Sequence, residues 1–252
     1  MNQHALNTEI EAFIHQKDKA KEAYSAADKT FIAKFSGAGG QGSKGASGEG
    51  LLYEFFTPNY ICELMWMLAK RYGYNTKGTV LEPSIGTGNF FKWAPDLSKC
   101  YGFEINPTSK RICEILYPEA KIHEGYFETA FLKAPRFTER LKDKLTWLSG
   151  YPFSLVIGNP PYGKYKNAYS SYFPKPKMHQ IELFFMYYSL QLLKPGGLLV
   201  FITGSNFLRN GISYQGEKME LEKLCDLVDA YRLPPVFSST KVPTDIIVLK
   251  RK

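Results

Sequence analysis

The 252-residue sequence has only four cysteines, and none of them forms a Cys-x-x-Cys pair. Zinc ribbons and disulfide frameworks need closely spaced cysteines, so neither is indicated. Apolar runs are too short to span a bilayer, and the opening residues Met1–His4 begin no apolar signal segment. We therefore expect a protein of a reducing, cytoplasmic compartment that neither holds a structural metal nor binds a membrane.

Acidic residues are also scarce: 24 Asp and Glu stand against 32 Lys and Arg, which gives a net charge of +8. They are absent altogether between Asp143 and Glu182. A basic balance of this kind suits a polyanionic partner such as nucleic acid. Aromatic residues, in contrast, are abundant, with 18 Phe and 17 Tyr. The chain is therefore not a disordered polymer, and it is long enough for one substantial core.

The sequence predicts three parts. Residues 1–35 form an N-terminal helical extension, with Leu6, Ile10, Phe13 and Ile14 on one helical face over 5–34. Residues 36–50 are glycine-rich and predict a flexible linker or loop. From 51 to 252, apolar strand patterns alternate with helical ones, which favours a doubly wound, mostly parallel sheet.

The predicted elements of the third part are as follows. Strands are expected at 79–83, 99–104, 120–123, 153–158, 198–203, 226–233 and 245–250. Helices are expected at 59–73, 89–97, 107–117, 137–147 and 179–193.

A continuous apolar run, Phe153–Gly158, leads directly into Asn159-Pro160-Pro161-Tyr162. Such a run is typical of a buried parallel strand, and two prolines cannot continue a strand ladder. The tetrapeptide is therefore expected at the carboxyl end of a central strand, where open α/β sheets bind ligands. A proline turn with a packed tyrosine would fit the same residues without any catalytic role.

The groups of this tetrapeptide suit an amino-group substrate. The side-chain oxygen of Asn159 and the carbonyl of Pro160 are acceptors that can converge on one NH2 group, and Tyr162 offers a flat face to a planar base. An amino group conjugated to a ring is a weak nucleophile because its lone pair is delocalised. Acceptors held around its two hydrogens would direct that lone pair outward.

A second constellation lies upstream, where Thr79–Phe90 predicts a strand, a tight turn and a helix. Gly86 and Gly88 permit positive φ and a close approach of the backbone to a ligand. Glu104 ends the next predicted strand, near the spacing at which a strand-end acid binds ribose hydroxyls. Phe91 stands where a third glycine would complete a dinucleotide fingerprint, so a nucleoside without pyrophosphate is favoured.

Taken together, Glu82–Phe90, Glu104–Pro107 and Gly158–Tyr162 resemble the motifs of S-adenosylmethionine-dependent N6-adenine DNA methyltransferases. Their order is that of the gamma type, in which the cofactor motifs precede the catalytic one. Tyr53–Pro58 is similar to the N-terminal cofactor motif and Val236–Leu249 to the last catalytic-domain motif. The resemblance covers roughly residues 51–250 and implies a Rossmann-like class I fold of seven strands, with the last strand antiparallel.

The resemblance also implies a role for each matching residue. Binding of S-adenosylmethionine falls to Phe56, Thr57, Pro58, Glu82, Pro83, Gly86, Gly88, Asn89, Glu104, Ile105 and Asn159. Catalysis falls to Asn159, Pro160, Pro161, Tyr162 and Phe237, with Phe237 facing Tyr162 across a flipped-out adenine. No metal is required, since the sulfonium is already an activated methyl donor.

One position departs from the family pattern. An acidic residue is usual near the end of the third strand, beside the adenine of the cofactor, but Tyr126 stands about there in this sequence. Either Glu124 or Glu128 substitutes for it, or the adenine contact differs.

The segment Gly163–Lys177 follows the tetrapeptide and interleaves lysines with aromatic residues. Lys164, Lys166, Lys175 and Lys177 are candidates for phosphate contacts, with the rings available to bases. The alternative is a solvated loop whose tyrosines pack on the domain.

Three other functions are compatible with the sequence: methylation of an RNA base, N5-methylation of a release-factor glutamine, and a catalytically silent subunit that assists DNA recognition. Gamma-type enzymes usually carry a recognition domain beyond the catalytic one, whereas this sequence ends two residues after its last predicted strand. We therefore expect a fragment, or target recognition by another domain or subunit or by the 163–178 loop.

Overall fold

The apolar runs of the sequence form one mixed sheet. The computed structural model describes residues 2–36, 56–132, 147–166, 169–205, 207–208, 214–237 and 243–252. Its strands are β1 Val80–Glu82, β2 Cys100–Glu104, β3 Lys121–Glu124, β4 Phe153–Gly158, β5 Leu193–Gly204, β6 Cys225–Arg232 and β7 Thr244–Arg251. They lie in the order β3-β2-β1-β4-β5-β7-β6. The first five are parallel, and β7 runs antiparallel to both β5 and β6, which confirms the predicted doubly wound, seven-stranded sheet.

The helices cover both faces of this sheet. They are α1 Gln3–Ala20, α2 Ala26–Ile32, α3 Asn59–Arg71, α4 Pro107–Leu116, α5 Ile181–Leu192 and α6 Gln215–Glu222. Helix α6 was not predicted, because its largely polar sequence shows little apolar periodicity. The predicted helix at 137–147 lies outside the described residues except for its last position.

The helix predicted at 89–97 is wrong. Two short 3-10 turns, Phe91–Trp93 and Leu97–Lys99, stand in its place. Ala94 between them is extended, with ψ 134°. The cause is Pro95, which lacks a backbone N–H and disfavours the helical conformation of the residue before it.

The helix predicted over 5–34 is interrupted. Lys21 ends α1 in the left-handed region, with φ 54°. Ser25 then starts α2: its side chain accepts from the Asp28 N–H, and Asp28 accepts in return from the Ser25 N–H. This reciprocal cap satisfies two donors that a new helix would otherwise leave open, so the break is stable.

Two apolar clusters enclose the sheet, one on each face. On one face Trp66 of α3 lies over Leu155 and Ile157 of β4. On the other, Phe184 of α5 lies over Val156 of the same strand. Alternate side chains of β4 therefore serve opposite layers, as a central strand buried on both faces requires.

A third cluster joins the N-terminal helices to the sheet domain. Ile10 and Ile14 of α1 and Ile32 of α2 pack with Ile112 and Ile115 of α4. The predicted apolar face of α1 is thus half confirmed in burial, since Leu6 and Phe13 are only partly buried.

The predicted linker at 36–50 lies outside the described residues except for Ser36, and the part boundaries stay a prediction. Within the described ranges, no helix has the length and apolarity needed to cross a membrane.

Candidate active site

The three strand ends that carry the motifs meet at one edge of the sheet. Glu82 ends β1, and its neighbours β2 and β4 end at Glu104 and Gly158. Just beyond these ends, the Ser84 hydroxyl donates to the backbone carbonyl of Asn159 over 3.3 Å. The turn after β1 and the tetrapeptide after β4 are therefore in direct contact.

The N-terminal motif lies over the glycine turn. Gly86 has φ +56°, and a Cβ atom there would lie 3.4 Å from Cε1 of Phe56. The Asn89 amide donates to the carbonyl of Thr57 over 3.0 Å. Residues that are about 30 positions apart in sequence are thus in contact, and their role in binding a cofactor stays a prediction.

Both the backbone conformation and the packing of Gly88 favour glycine at that position. Its φ is +84°, and a Cβ atom there would lie 2.8 Å from Sγ of Cys113 and 2.8 Å from the ring of Tyr117. The sequence predicted close approach to a ligand at this position. The structure adds a second constraint, which is close packing of the turn against α4 and the residue that follows it; the approach to a ligand stays a prediction.

Glu104 organises the turn from β2. One of its carboxylate oxygens accepts from the Gly86 N–H and the other from the Asn106 N–H, each over 2.7 Å. Glu104 therefore joins the glycine turn after β1 to the first residues of the segment that leads into α4. Asn106 in turn caps α4 by accepting from the Thr108 N–H over 2.9 Å.

Glu82 is buried beside this turn, and its Oε2 has no hydrogen-bond partner among the described residues. Burial raises the pKa of the Glu82 carboxyl well above its usual range, and the nearby Glu104 charge raises it further. A cationic ligand would be favoured beside these two acids, because its charge would lower the pKa of Glu82 and stabilise the ionised carboxylate. S-adenosylmethionine, with its sulfonium and ammonium groups, fits that requirement.

The remaining predicted cofactor residues differ in burial. Thr57 and Pro83 are buried, and Pro58 is partly buried. Ile105 follows Glu104 directly and leaves 41% of its surface exposed, so its side chain is accessible to a ligand.

The tetrapeptide Asn159–Tyr162 has an internal hydrogen bond. The Tyr162 hydroxyl donates to Oδ1 of Asn159 over 2.5 Å. Pro160 is buried, while Asn159 and Pro161 are partly exposed. Tyr162 packs against the apolar cluster on the α3 face of the sheet, and Phe237 belongs to the same cluster.

Tyr126 and the two nearby carboxylates have different surroundings. The Glu124 carboxylate faces Lys110 over 3.4 Å and is 52% exposed, and Glu128 is buried. Tyr126 itself lies in ring contact with Tyr169, with centroids 5.1 Å apart. Which of these residues meets the adenine of the cofactor stays open.

The loop after the tetrapeptide contains aromatic residues that pack against α5 and lysines that are exposed. Tyr165 stacks on Phe184 with centroids 4.2 Å apart, and Phe173 packs against Tyr188 at 5.0 Å. These two rings hold the loop to α5, which matches the structural alternative for them. The four candidate lysines, Lys164, Lys166, Lys175 and Lys177, are all exposed.

Motif reasoning missed Glu182, which lies in the first turn of α5. Its carboxylate accepts from the N–H of Gly163, directly after the tetrapeptide, over 3.3 Å. Burial raises the pKa of Glu182. The sequence held one signal for it, since Glu182 is the first acidic residue after the long basic stretch.

A metal centre finds no support in the part of the chain that the structure describes, where no group of three or more His, Cys, Asp or Glu could hold an ion. The four cysteines, Cys62, Cys100, Cys113 and Cys225, are buried free thiols.

A seven-stranded sheet in this order, with an antiparallel β7 and a glycine turn after β1, is the class I S-adenosylmethionine-dependent methyltransferase fold. Within that class, the chain belongs to the Eco57I restriction-modification methylase family, whose model matches residues 98–237.

Known proteins resemble the chain over most of its length. A protein of Escherichia phage P1 described as defense against restriction protein B is 28% identical over 226 residues, 89% of this chain and 9% of that protein. A class I methyltransferase fold from Listeria monocytogenes superposes with a TM-score of 0.57 and 16% identity, covering 78% of this chain and 60% of the other. The methyltransferase subunit of a type I restriction-modification system from Streptococcus thermophilus superposes with a TM-score of 0.60 and 20% identity. The match covers 79% of this chain and 45% of the other. The chain thus spans about a tenth of the phage relative and less than two thirds of either structure.

Proposed function

We propose that the chain is the catalytic part of a cytoplasmic DNA adenine N6-methyltransferase. It would transfer the methyl group of S-adenosylmethionine to the amino group of a flipped-out adenine. The observation that carries the proposal is the contact between the turn after β1 and the tetrapeptide after β4, made by Ser84 and Asn159. This contact brings the predicted cofactor cleft and the predicted acceptor of an amino group side by side.

The residues around the turn suit the cofactor. Glu104 would accept the ribose hydroxyls while it holds the Gly86 N–H. Glu82, with one oxygen unpaired among the described residues, would stabilise positive charge on the methionine side. When bound, S-adenosylmethionine supplies an activated methyl group, so the protein needs to provide orientation and not a covalent intermediate.

The tetrapeptide would hold the base. Asn159 Oδ1 and the Pro160 carbonyl would accept the two amino hydrogens, and Tyr162 and Phe237 would stack on the adenine ring. The bond from sulfur to methyl breaks as the bond from N6 to methyl forms, and N6 then releases one proton to solvent. Preorganised acceptors would favour this transition state because they are already oriented when the reaction begins.

DNA is the proposed substrate, supported by family membership and by the exposed lysines beside the tetrapeptide. Phosphate contacts position a protein on DNA without reading its sequence. We therefore assign target recognition to a separate domain or subunit, in keeping with the similar Streptococcus protein, which is described as one subunit of a system.

The test is nucleoside mass spectrometry of DNA from a methylation-deficient host that expresses the chain or its Asn159→Ala variant. We expect N6-methyladenine with the native sequence and at least a 100-fold decrease with the variant. Binding of S-adenosylhomocysteine should be nearly equal for the two proteins, because ten residues besides Asn159 are predicted to hold the cofactor. A modified RNA base or a methylated glutamine would identify one of the other substrates, and methylation that survives in the variant would contradict the assignment of Asn159.

A further inference from the structure

The first turn of α5 holds the residue after the catalytic tetrapeptide at both of its backbone polar groups. The Gly163 N–H donates to Oε2 of Glu182 over 3.3 Å, and the Ile181 N–H donates to the Gly163 carbonyl over 2.8 Å. Gly163 has φ +121°, a conformation that L side chains rarely adopt. The chain therefore turns sharply directly after Tyr162, and the Glu182 side chain accepts a hydrogen bond from the backbone of that turn.

The backbone beyond Gly163 closes without the help of side chains. Lys164 and Gln180 form an antiparallel bridge, and the Tyr165 N–H donates to the His179 carbonyl over 2.8 Å. These bonds fix the base of the loop whatever residue stands at position 182. The direction of the Gly163 N–H, in contrast, depends on the acceptor that Glu182 provides.

We infer that Glu182 is a positioning residue for methyl transfer. It fixes the backbone of Gly163 and thereby orients the tetrapeptide toward the substrate amino group. This inference rests on the proposed function. Glu182 touches neither substrate nor cofactor in this scheme, and it acts through the peptide that follows Tyr162. A carboxylate suits the task because hydrogen bonds to a charged acceptor are stronger than neutral ones, and because an acid is favourable in the first turn of a helix.

The charge of Glu182 acts on Tyr162 of the tetrapeptide. Burial is the main cause that raises the pKa of Tyr162, and the Glu182 charge raises it further, which keeps the hydroxyl in its donating form. The groups that bear on Glu182 itself are its own N–H and that of Gly163, which oppose the effect of burial on its pKa. Lys164 lies on the bridged segment beside it and is exposed.

The contact can be tested without any substrate. In protein labelled with 15N-glycine, the amide resonance of Gly163 should move with pH as Glu182 titrates, with a midpoint above the ordinary glutamate value of 4.5. In Glu182→Gln that movement should be lost, while Glu222→Gln on the exposed side of α6 should leave it unchanged. A Gly163 resonance that titrates identically in Glu182→Gln would overturn the inference.

Kinetics then separates positioning from a merely structural role. Glu182→Ala should lower kcat about tenfold with the KM for S-adenosylmethionine unchanged, because the cofactor cleft lies at other residues. Glu182→Gln keeps an acceptor oxygen and should recover most of the rate at neutral pH, with the acid limb of the pH profile altered. An unchanged kcat in Glu182→Ala would contradict the inference. A native protein that methylates no DNA would contradict the proposed function instead, and the Gly163 titration would still decide the contact.

Discussion

The Tyr162 hydroxyl donates a 2.5 Å hydrogen bond to Oδ1 of Asn159, within the tetrapeptide proposed to bind the substrate base. The acceptor that the mechanism gives to the amino group is therefore already used by a neighbouring side chain. A carbonyl oxygen can accept two hydrogen bonds, so an entering amino group would take the second acceptor site of Oδ1 beside that hydroxyl. Tyr162 would thus have two roles, since its ring stacks and its hydroxyl occupies one acceptor site.

Substitution at Tyr162 separates these two roles. Tyr162→Phe removes the donor and keeps the ring, so we expect kcat within about threefold of the native value and DNA binding that is equal or tighter. Tyr162→Ala also removes the stacking surface, which is worth ~1–3 kcal/mol for a base, and should lower kcat/KM at least tenfold. Steady-state methylation of an oligonucleotide substrate measures both. Equal losses in the two variants would show that the hydroxyl, and not the ring, is essential.

Gly88→Ala should destabilise the fold more than Gly73→Ala, although both residues have positive φ. The two values are +84° and +102°, so strain costs each variant about 1 kcal/mol. A Cβ at Gly88 also meets the Cys113 sulfur at 2.8 Å, whereas nothing lies within 4 Å of one at Gly73. We expect an additional loss of about 1–3 kcal/mol for Gly88→Ala in urea unfolding. Equal losses would show that α4 moves away at little cost.

The N-terminal helices should depend more on apolar packing than on their ion pair with α4. Ile10 is fully buried in the shared cluster, so Ile10→Ala should cost about 2–4 kcal/mol of unfolding free energy. Asp18 and Arg111 lie 2.6 Å apart but keep 34% and 42% of their side-chain surface exposed. Solvent screens such a pair, so Asp18→Asn should cost less than about 1 kcal/mol. A larger loss for Asp18→Asn than for Ile10→Ala would contradict this ranking.

The small contribution of that pair has a defined pH dependence. A hydrogen bond from Arg111 lowers the pKa of Asp18 below its ordinary value of 3.8. A carboxyl with a depressed folded-state pKa adds stability above its unfolded-state value and loses it as pH falls through the folded-state value. The difference between native protein and Asp18→Asn should therefore be constant from pH 5 to 7 and shrink below pH 3.8. Urea unfolding across that range measures it, and a difference that grows on acidification would show the opposite sign.

The lysines after the tetrapeptide should contribute to DNA affinity without sequence preference. The double change Lys175→Gln and Lys177→Gln removes two proposed phosphate contacts, which should reduce the slope of log K against log salt by about 2. Lys194 and Lys250 are exposed near the amino-terminal end of β5, which is the opposite end of the strands from the tetrapeptide. The same change at these two lysines is therefore the matched control. Titration by fluorescence anisotropy at several salt concentrations gives the slopes. Equal slopes for the two double variants would remove the loop from the DNA interface.

The strands of the sheet could be predicted because the signal for each of them lies within its own short stretch of sequence. A strand buried on both faces must be apolar throughout, so β4 and β5 are visible as runs, and the residues at their ends follow directly. The helix predicted at 89–97 failed for an equally local reason, because Pro95 outweighs the surrounding pattern. Helix α6 could not be found, since a polar surface helix leaves no periodic signal.

At the site, the sequence by itself determined which residues stand at the strand ends, because motif spacing and strand ends are properties of the chain alone. The placement of Glu82, Glu104 and the tetrapeptide at one edge followed from that. Tertiary structure decided the rest: that Gly88 is required by α4, that Tyr126 meets Tyr169, and that Glu182 grips the turn after Tyr162. Such contacts join segments that have no fixed spacing in sequence. They depend on how helices and loops pack on the sheet, and no short pattern records that packing.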